Sequence, residues 1–346
     1  MDNKQFKFDV VIGNPPYQEE VEGTSDKQIF PYFMDQAYEI GEKVELITPA
    51  KFLSNAGKTP KKWNAKMLKD PHLKVLFFEQ DSSKVFSNTD IKGGVCVTYH
   101  DIDSNFGAIG TFTPYPELNS ILKKVKINNF KSFSELIYAP ESYKLTQKLH
   151  DDFPDIEARL SKGHKFDVTT NIFDKLGDIF QNVKPSDSSE RYVGLYGRQN
   201  NQRILKWIKS KYIKGPDNLE NYKILVPKSN GSGAIGEVLT TPLIGEPLIG
   251  GTQTFITIGN FQDINCAKAA LKYIKSKFAR AMLGTLKVTQ DNKKRAWVNV
   301  PLQDFNQYSD IDWSKSIHEI DQQLYKKYDL DEQEIEFIET KVKEMD

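Results

Sequence analysis

The chain has 346 residues, 47 basic and 47 acidic, with 38% hydrophobic residues; that is enough for two domains with their own cores and is ordinary for a globular protein. No apolar run approaches the roughly 18 residues of a membrane-spanning helix, and no apolar signal core follows the Lys-bearing N-terminus, so neither is expected. Cys96 and Cys266 read as two reduced thiols of a cytoplasmic protein, and the five histidines, at 72, 100, 150, 164 and 318, lack metal-ligand spacing, so no metal is assigned.

The first part alternates strands and helices. Phe8 to Gly13 is an apolar β-type run that ends in Asn14-Pro15-Pro16-Tyr17. Apolar positions at helical spacing predict a helix over about 26–41, followed by a strand at Val44–Pro49 closed by its proline. A helix follows over about 60–69, with Pro60 near its first turn. Leu73 to Phe78 and Gly94 to Tyr99 predict further strands, and Gly107 to Phe112 a fifth. This is the rhythm of an α/β doubly wound sheet. Asn119–Ile127 and Ser142–His150 read as helices, and Lys184 to Glu190 as a surface loop or linker. A domain boundary falls within 115–145, drawn here as domains 1–130 and 131–346. Beyond it Tyr222–Val226 and Thr254–Ile258 read as strands amid a glycine-rich stretch. One long helix is predicted from Asn265 to Leu286.

The junction after the first strand carries the chemistry. Two prolines remove backbone donors, leaving carbonyls free to accept. An amide, a free carbonyl and a ring at the carboxyl end of a buried strand suit a planar base with an exocyclic amino group. A purely structural Asn-Pro turn is the competing reading.

Asn14-Pro15-Pro16-Tyr17 after an apolar strand resembles the catalytic motif of N6-adenine DNA methyltransferases from restriction–modification systems, of the fused restriction/methylase type. The resemblance implies that the Asn14 side chain and the Pro15 carbonyl accept from the adenine amino group. It also implies that Pro16 holds the turn and that Tyr17 stacks on the flipped base. The segment Leu46 to Leu53 resembles the stretch after the family's fifth strand. Ser82 to Ser87 with Ile91 to Val95 resembles its hairpin region, where Phe86 would face the base from the other side. The implied fold is a partial Rossmann-like methyltransferase sheet, the catalytic half, followed by an α+β target-recognition domain with C-terminal helices. The same tetrapeptide also occurs in methyltransferases acting on RNA or protein glutamine, so the motif alone leaves the substrate open.

Charge distribution favours DNA. Residues 191–228 hold nine Lys/Arg against two acidic residues, 268–295 nine against one, and 310–346 five lysines against twelve acids. Local basic surface is what phosphate contact requires, and aromatics and amides interleave with it, although solvated helix faces would look similar. Candidate contacts to double-stranded DNA are Arg198, Arg203, Lys228, Asn230, Lys287, Gln290, Lys294 and Arg295, chosen for donor chemistry in loop or basic contexts. The segments Tyr222–Lys228, Val288–Gln290 and Trp297–Phe305 resemble the family's target-recognition regions. Gly231-Ser232-Gly233 is not read as a phosphate cradle, because Thr240-Thr241-Pro242 blocks the helix that a G-x-G-x-x-G fingerprint must open and no G-K-[ST] ends the loop. No magnesium-nuclease arrangement is assigned.

The family binds S-adenosylmethionine through a Gly-rich loop after its first strand, and no match to that loop occurs in this sequence. The expectation is that the chain is the catalytic-loop and recognition portion of a larger or split enzyme. On its own it should bind the cofactor weakly and methylate little, with a second chain possible as the missing half. The alternative is a non-catalytic DNA-specificity subunit or a remnant. In either case the strand containing Val10 to Ile12 should present an exposed apolar edge.

Overall fold

In the computed structural model, which describes residues 8–19, 27–55, 58–87, 89–127, 130–186, 189–287 and 289–345, the apolar run at the start forms strand β1, Phe8–Gly13. It ends where Pro15 and Pro16 have no N–H to continue a ladder. Helix α1, Phe30–Ile40, is shorter than its periodicity suggests. Lys27–Gln28 pairs instead with Gln18–Glu19 as a small ribbon, and the expected start at Asp26 lies outside the described residues. Next come β2, Gly41–Pro49, and α2, Lys61–Lys69, for which Pro60 supplies the N-cap. Strands β3, Leu73–Glu79, and β4, Val95–Asp101, complete this part.

The four strands form one sheet in the order β1-β2-β4-β3. β1 and β2 are parallel, and β4 runs antiparallel to both of its neighbours. One face is covered by Phe30, Met34 and Ala37 of α1 and Trp63 and Met67 of α2, packed on Val44, Leu46, Leu73 and Cys96. On β1, Phe8, Val10 and Ile12 are 54%, 54% and 74% exposed, and β2 is its ladder partner among the described residues. The expected strand at Gly107–Phe112 is absent. Gly107 and Gly110 have positive φ, which breaks an extended run, and Gly110 N–H donates to the Leu68 carbonyl, outside any ladder.

The chain divides into two compact units, residues 1–119 and 120–346, and helix α3, Pro116–Ile127, starts at the junction. In the second unit the helix expected at Ser142–His150 is replaced by a 3-10 turn at Pro140–Ser142, a two-residue strand at Lys144–Leu145 and a short helix at Gln147–Asp152. A hairpin that sequence reading missed, β5 (Tyr192–Gln199) with β6 (Gln202–Lys209), turns through Asn200 and Asn201, both at positive φ. β7, Tyr222–Pro227, pairs antiparallel with β9, Phe255–Phe261, while β8, Ile249–Gly251, runs parallel to β5. The expected single helix over 265–286 breaks at Ser276 into α4, Ile264–Lys275, and α5, Lys277–Gly284. The Ser276 hydroxyl accepts from Ala279 N–H, and the Asp321 carboxylate of α6 (Ile317–Lys327) accepts from Lys277 and Phe278 N–H, so the second helix has its own cap. Helix α7, Glu332–Lys341, closes the chain. No described helix is long and apolar enough to cross a membrane.

Candidate active site and basic cleft

The first unit contains a cavity of about 980 Å³ at the carboxyl end of β1. Asn14, Tyr17 and Phe86, far apart in sequence, all line it; Pro15 and Pro16 do not. The Asn14 amide is exposed and makes no hydrogen bond among the described residues, and the Pro15 carbonyl likewise accepts none. Tyr17 is tied down through its carbonyl, which accepts from Ile29 and Phe30 N–H at 3.0 and 3.4 Å. Its hydroxyl is buried without a partner among the described residues, and that burial, with Cys96 nearby, raises its pKa. Phe86 sits in the connection between β3 and β4, where its N–H donates to the Ser82 carbonyl at 2.8 Å and its carbonyl accepts from Thr89.

Buried Phe30 and Phe52 add aromatic surface to the lining, backed by Trp63 at ring-centroid distances of 5.8 and 5.3 Å. Lys51, Lys58 and Lys92 line it too, against one carboxylate, Asp90. Sequence reading did not single out these lysines, although Lys51 and Lys92 stand in the quoted segments Leu46 to Leu53 and Ile91 to Val95. Pro49 ends that strand, a 3-10 turn over Ala50–Ser54 follows, and the Ala50 N–H donates to the Gly94 carbonyl at 3.0 Å. The arrangement offers aromatic surface, free acceptors and cationic side chains, which suits a planar base flanked by phosphates.

In the second unit four of the eight DNA candidates come together. Arg198, Arg203, Lys228 and Asn230 line a cleft of about 630 Å³ between the β5–β6 hairpin and the loop after β7. Gln290, Lys294 and Arg295 are exposed but lie outside its lining, and Val288 is outside the described residues. Two candidates need correction. Lys287 is 6% exposed; its ammonium donates to the carbonyls of Asn230 and Thr289 and lies 3.6 Å from Glu237, so it holds the fold together rather than facing DNA. The Asn230 amide donates to Val238 O and accepts from Asn292, which commits it to holding its own loop.

Glu237 organises that loop, a role sequence reading missed. Its carboxylate accepts from the N–H groups of Ser232 and Gly233 and from the Ser232 hydroxyl. Burial opposes its ionisation, but these donors and Lys287 outweigh it and bring the pKa down to about 2. The glycine turn therefore already holds an anion of its own.

Residues 1–86 match the sequence model of a family described as Eco57I restriction-modification methylase. An uncharacterized adenine-specific methylase from Mycoplasma pneumoniae is 36% identical over 96 residues, covering 26% of this chain and 23% of that protein. The chain thus spans about a quarter of the curated relative it matches. Among solved structures, the type IIG restriction endonuclease BpuSI overlaps 90% of this chain and 48% of its own, at 11% identity and TM-score 0.31. The type IIL restriction-modification enzyme MmeI in complex with DNA overlaps 84% and 46%, at 10% identity and TM-score 0.29. Structural likeness of that degree carries no argument; the sequence match over the first unit does.

Proposed function

We propose that this chain acts in adenine N6 methylation of DNA within a restriction–modification system, the first unit seating the target adenine and the second contacting the duplex. The observation that carries this reading is the convergence of Asn14, Tyr17 and Phe86 on one cavity beside the free Pro15 carbonyl. Asn14 Oδ1 and the Pro15 carbonyl would accept from the amino group and raise lone-pair density on its nitrogen. Tyr17 and Phe86 would supply the two apolar walls that a flipped base needs.

The strand order β1-β2-β4-β3, with β4 reversed, fits the catalytic half of a methyltransferase sheet. S-adenosylmethionine, the methyl donor that such a reaction requires, does not fit the residues lining this cavity. Three lysines and one aspartate are its charged lining, and no glycine lines it among the described residues, so it lacks a Gly-rich approach to the cofactor. Its seat is assigned to a further segment, in this or a second chain, that covers the exposed Phe8, Val10 and Ile12. That same exposed strand favours the alternative of a DNA-specificity subunit dependent on a partner.

Duplex DNA carrying 2-aminopurine at a target adenine tests the base seat. Binding should raise its fluorescence, and Tyr17→Ala and Phe86→Ala should each lower the rise. When the cofactor-binding segment is supplied, Asn14→Ala should abolish methyl transfer while duplex affinity holds. Bound duplex with no fluorescence rise for the unaltered chain refutes the reading.

A further inference from the structure

The lining of the cleft in the second unit carries positive charge with no carboxylate beside it. Arg198, Arg203 and Lys228 converge on it, no aspartate or glutamate lines it, and none of the three forms an ion pair among the described residues. Other cations of the unit do have carboxylate partners: Arg159 with Asp178, Arg191 with Glu220, Lys209 with Glu190. Uncompensated like charges converge in a concavity at an electrostatic cost, unless an anion occupies it.

Arg203 is the fixed element. Its guanidinium lies 5.3 Å over the Phe255 ring, and Nη1 donates to the Thr241 carbonyl at 2.8 Å. Stacking and this bond hold its plane, while Nε and Nη2 make no hydrogen bond among the described residues. That edge is the two-donor fork that matches a pair of anionic oxygens. Arg198 is exposed on the hairpin and only loosely held, with contacts of 3.4 and 3.5 Å to Asn201.

We infer that this cleft seats a backbone phosphodiester of DNA, with the Nε/Nη2 edge of Arg203 on the two non-bridging oxygens and Arg198 and Lys228 flanking them. The inference rests on the proposed DNA reading and deepens it. A guanine edge would also accept a fork, but one neutral base leaves three converging cations uncompensated, whereas phosphates neutralise them. The cleft therefore positions the duplex and reads no sequence at this point.

The test is the salt dependence of binding of the full chain to mixed-sequence duplexes, followed by fluorescence anisotropy. Arg203→Met should weaken binding about tenfold, equally for every duplex. It should also lower the log–log salt slope by about one. Because Arg203 also packs on Phe255, the pair Arg198→Gln and Lys228→Gln repeats the test without disturbing that stack and should lower the slope by about two. Lys326→Gln, on α6, serves as the comparison and should leave both quantities unchanged. If the unaltered chain binds duplex and the cleft variants bind with the same slope, the cleft assignment fails while the DNA reading stands. A loss confined to one sequence context makes Arg203 a base reader and overturns the phosphodiester. An unaltered chain that binds no duplex overturns both.

Discussion

Replacing Glu237 by glutamine should unlock the loop that bounds the basic cleft. The carboxylate receives three donors on two oxygens, Ser232 N–H and Oγ and Gly233 N–H, with Lys287 at 3.6 Å. Glutamine keeps one acceptor oxygen and turns an NH2 group toward a backbone N–H, donor against donor. The size of the effect follows from the pKa, which falls from 4.5 to about 2 on folding. At about 1.4 kcal/mol per unit, the ionised carboxylate contributes ~3 kcal/mol. The folded pKa is depressed, so that contribution is fully present above pH ~4.5 and is lost as pH falls toward 2. Urea denaturation followed by tryptophan fluorescence reads it, since Trp207, Trp297 and Trp313 lie in the second unit. Subtracting the variant from the unaltered chain cancels the titration common to both. A difference near 3 kcal/mol at pH 7 that shrinks by pH 3 is expected. A difference below about 1 kcal/mol at pH 7, or one that persists at low pH, refutes the reasoning.

Lys223 is fully buried, and its ammonium donates to the carbonyls of Leu219, Glu246 and Ile249. Burial, opposed by Glu220, brings its pKa down to about 7. Between pH 7 and about 10 the unfolded chain then holds the extra proton, so stability relative to Lys223→Met should rise by up to ~1.4 kcal/mol per pH unit. Parallel curves would mean that the three carbonyls keep the ammonium charged. Gly94→Ala should cost about 2–4 kcal/mol, because φ is +80° and a Cβ would stand 2.3 Å from Glu79 O and 2.7 Å from Gln80 Cα. Both are backbone atoms, so thermal denaturation should register the loss, and a neutral result would contradict the geometry. Tyr17→Phe removes a buried hydroxyl that has no partner among the described residues and should be neutral or stabilise by up to ~1 kcal/mol, with the 2-aminopurine signal retained. A clear loss of stability would show that the hydroxyl does have a partner.

Local chemistry was legible where it is local. The β1 junction, the proline that ends β2 and the apolar stripe of α2 depend on neighbours a few residues away, and the structure places strands and helices there. Ser276 shows the limit of periodicity: the apolar stripe runs on across 265–286, but the cap from Asp321, far downstream in the chain, starts a new helix. The β5–β6 hairpin was hidden for a related reason. Gly194 and Gly197 weaken its strand signature, yet a Cβ at either would stand 2.7 Å from Ile249 or 2.4 Å from Phe173.

The sequence by itself determined the proline-rich loop after the first strand, the alternating α/β order that comes next, and the segregation of basic residues into two stretches. Only the tertiary structure decided that Asn14, Tyr17 and Phe86 share a cavity, and which basic residues face outward. Lys287 and Lys228 look alike in sequence, each a lysine within a basic stretch. One is enclosed by carbonyls of the chain and the other lines an open cleft. A charge is buried or free according to the acceptors that distant segments bring to it, and those acceptors exist only once the chain has folded.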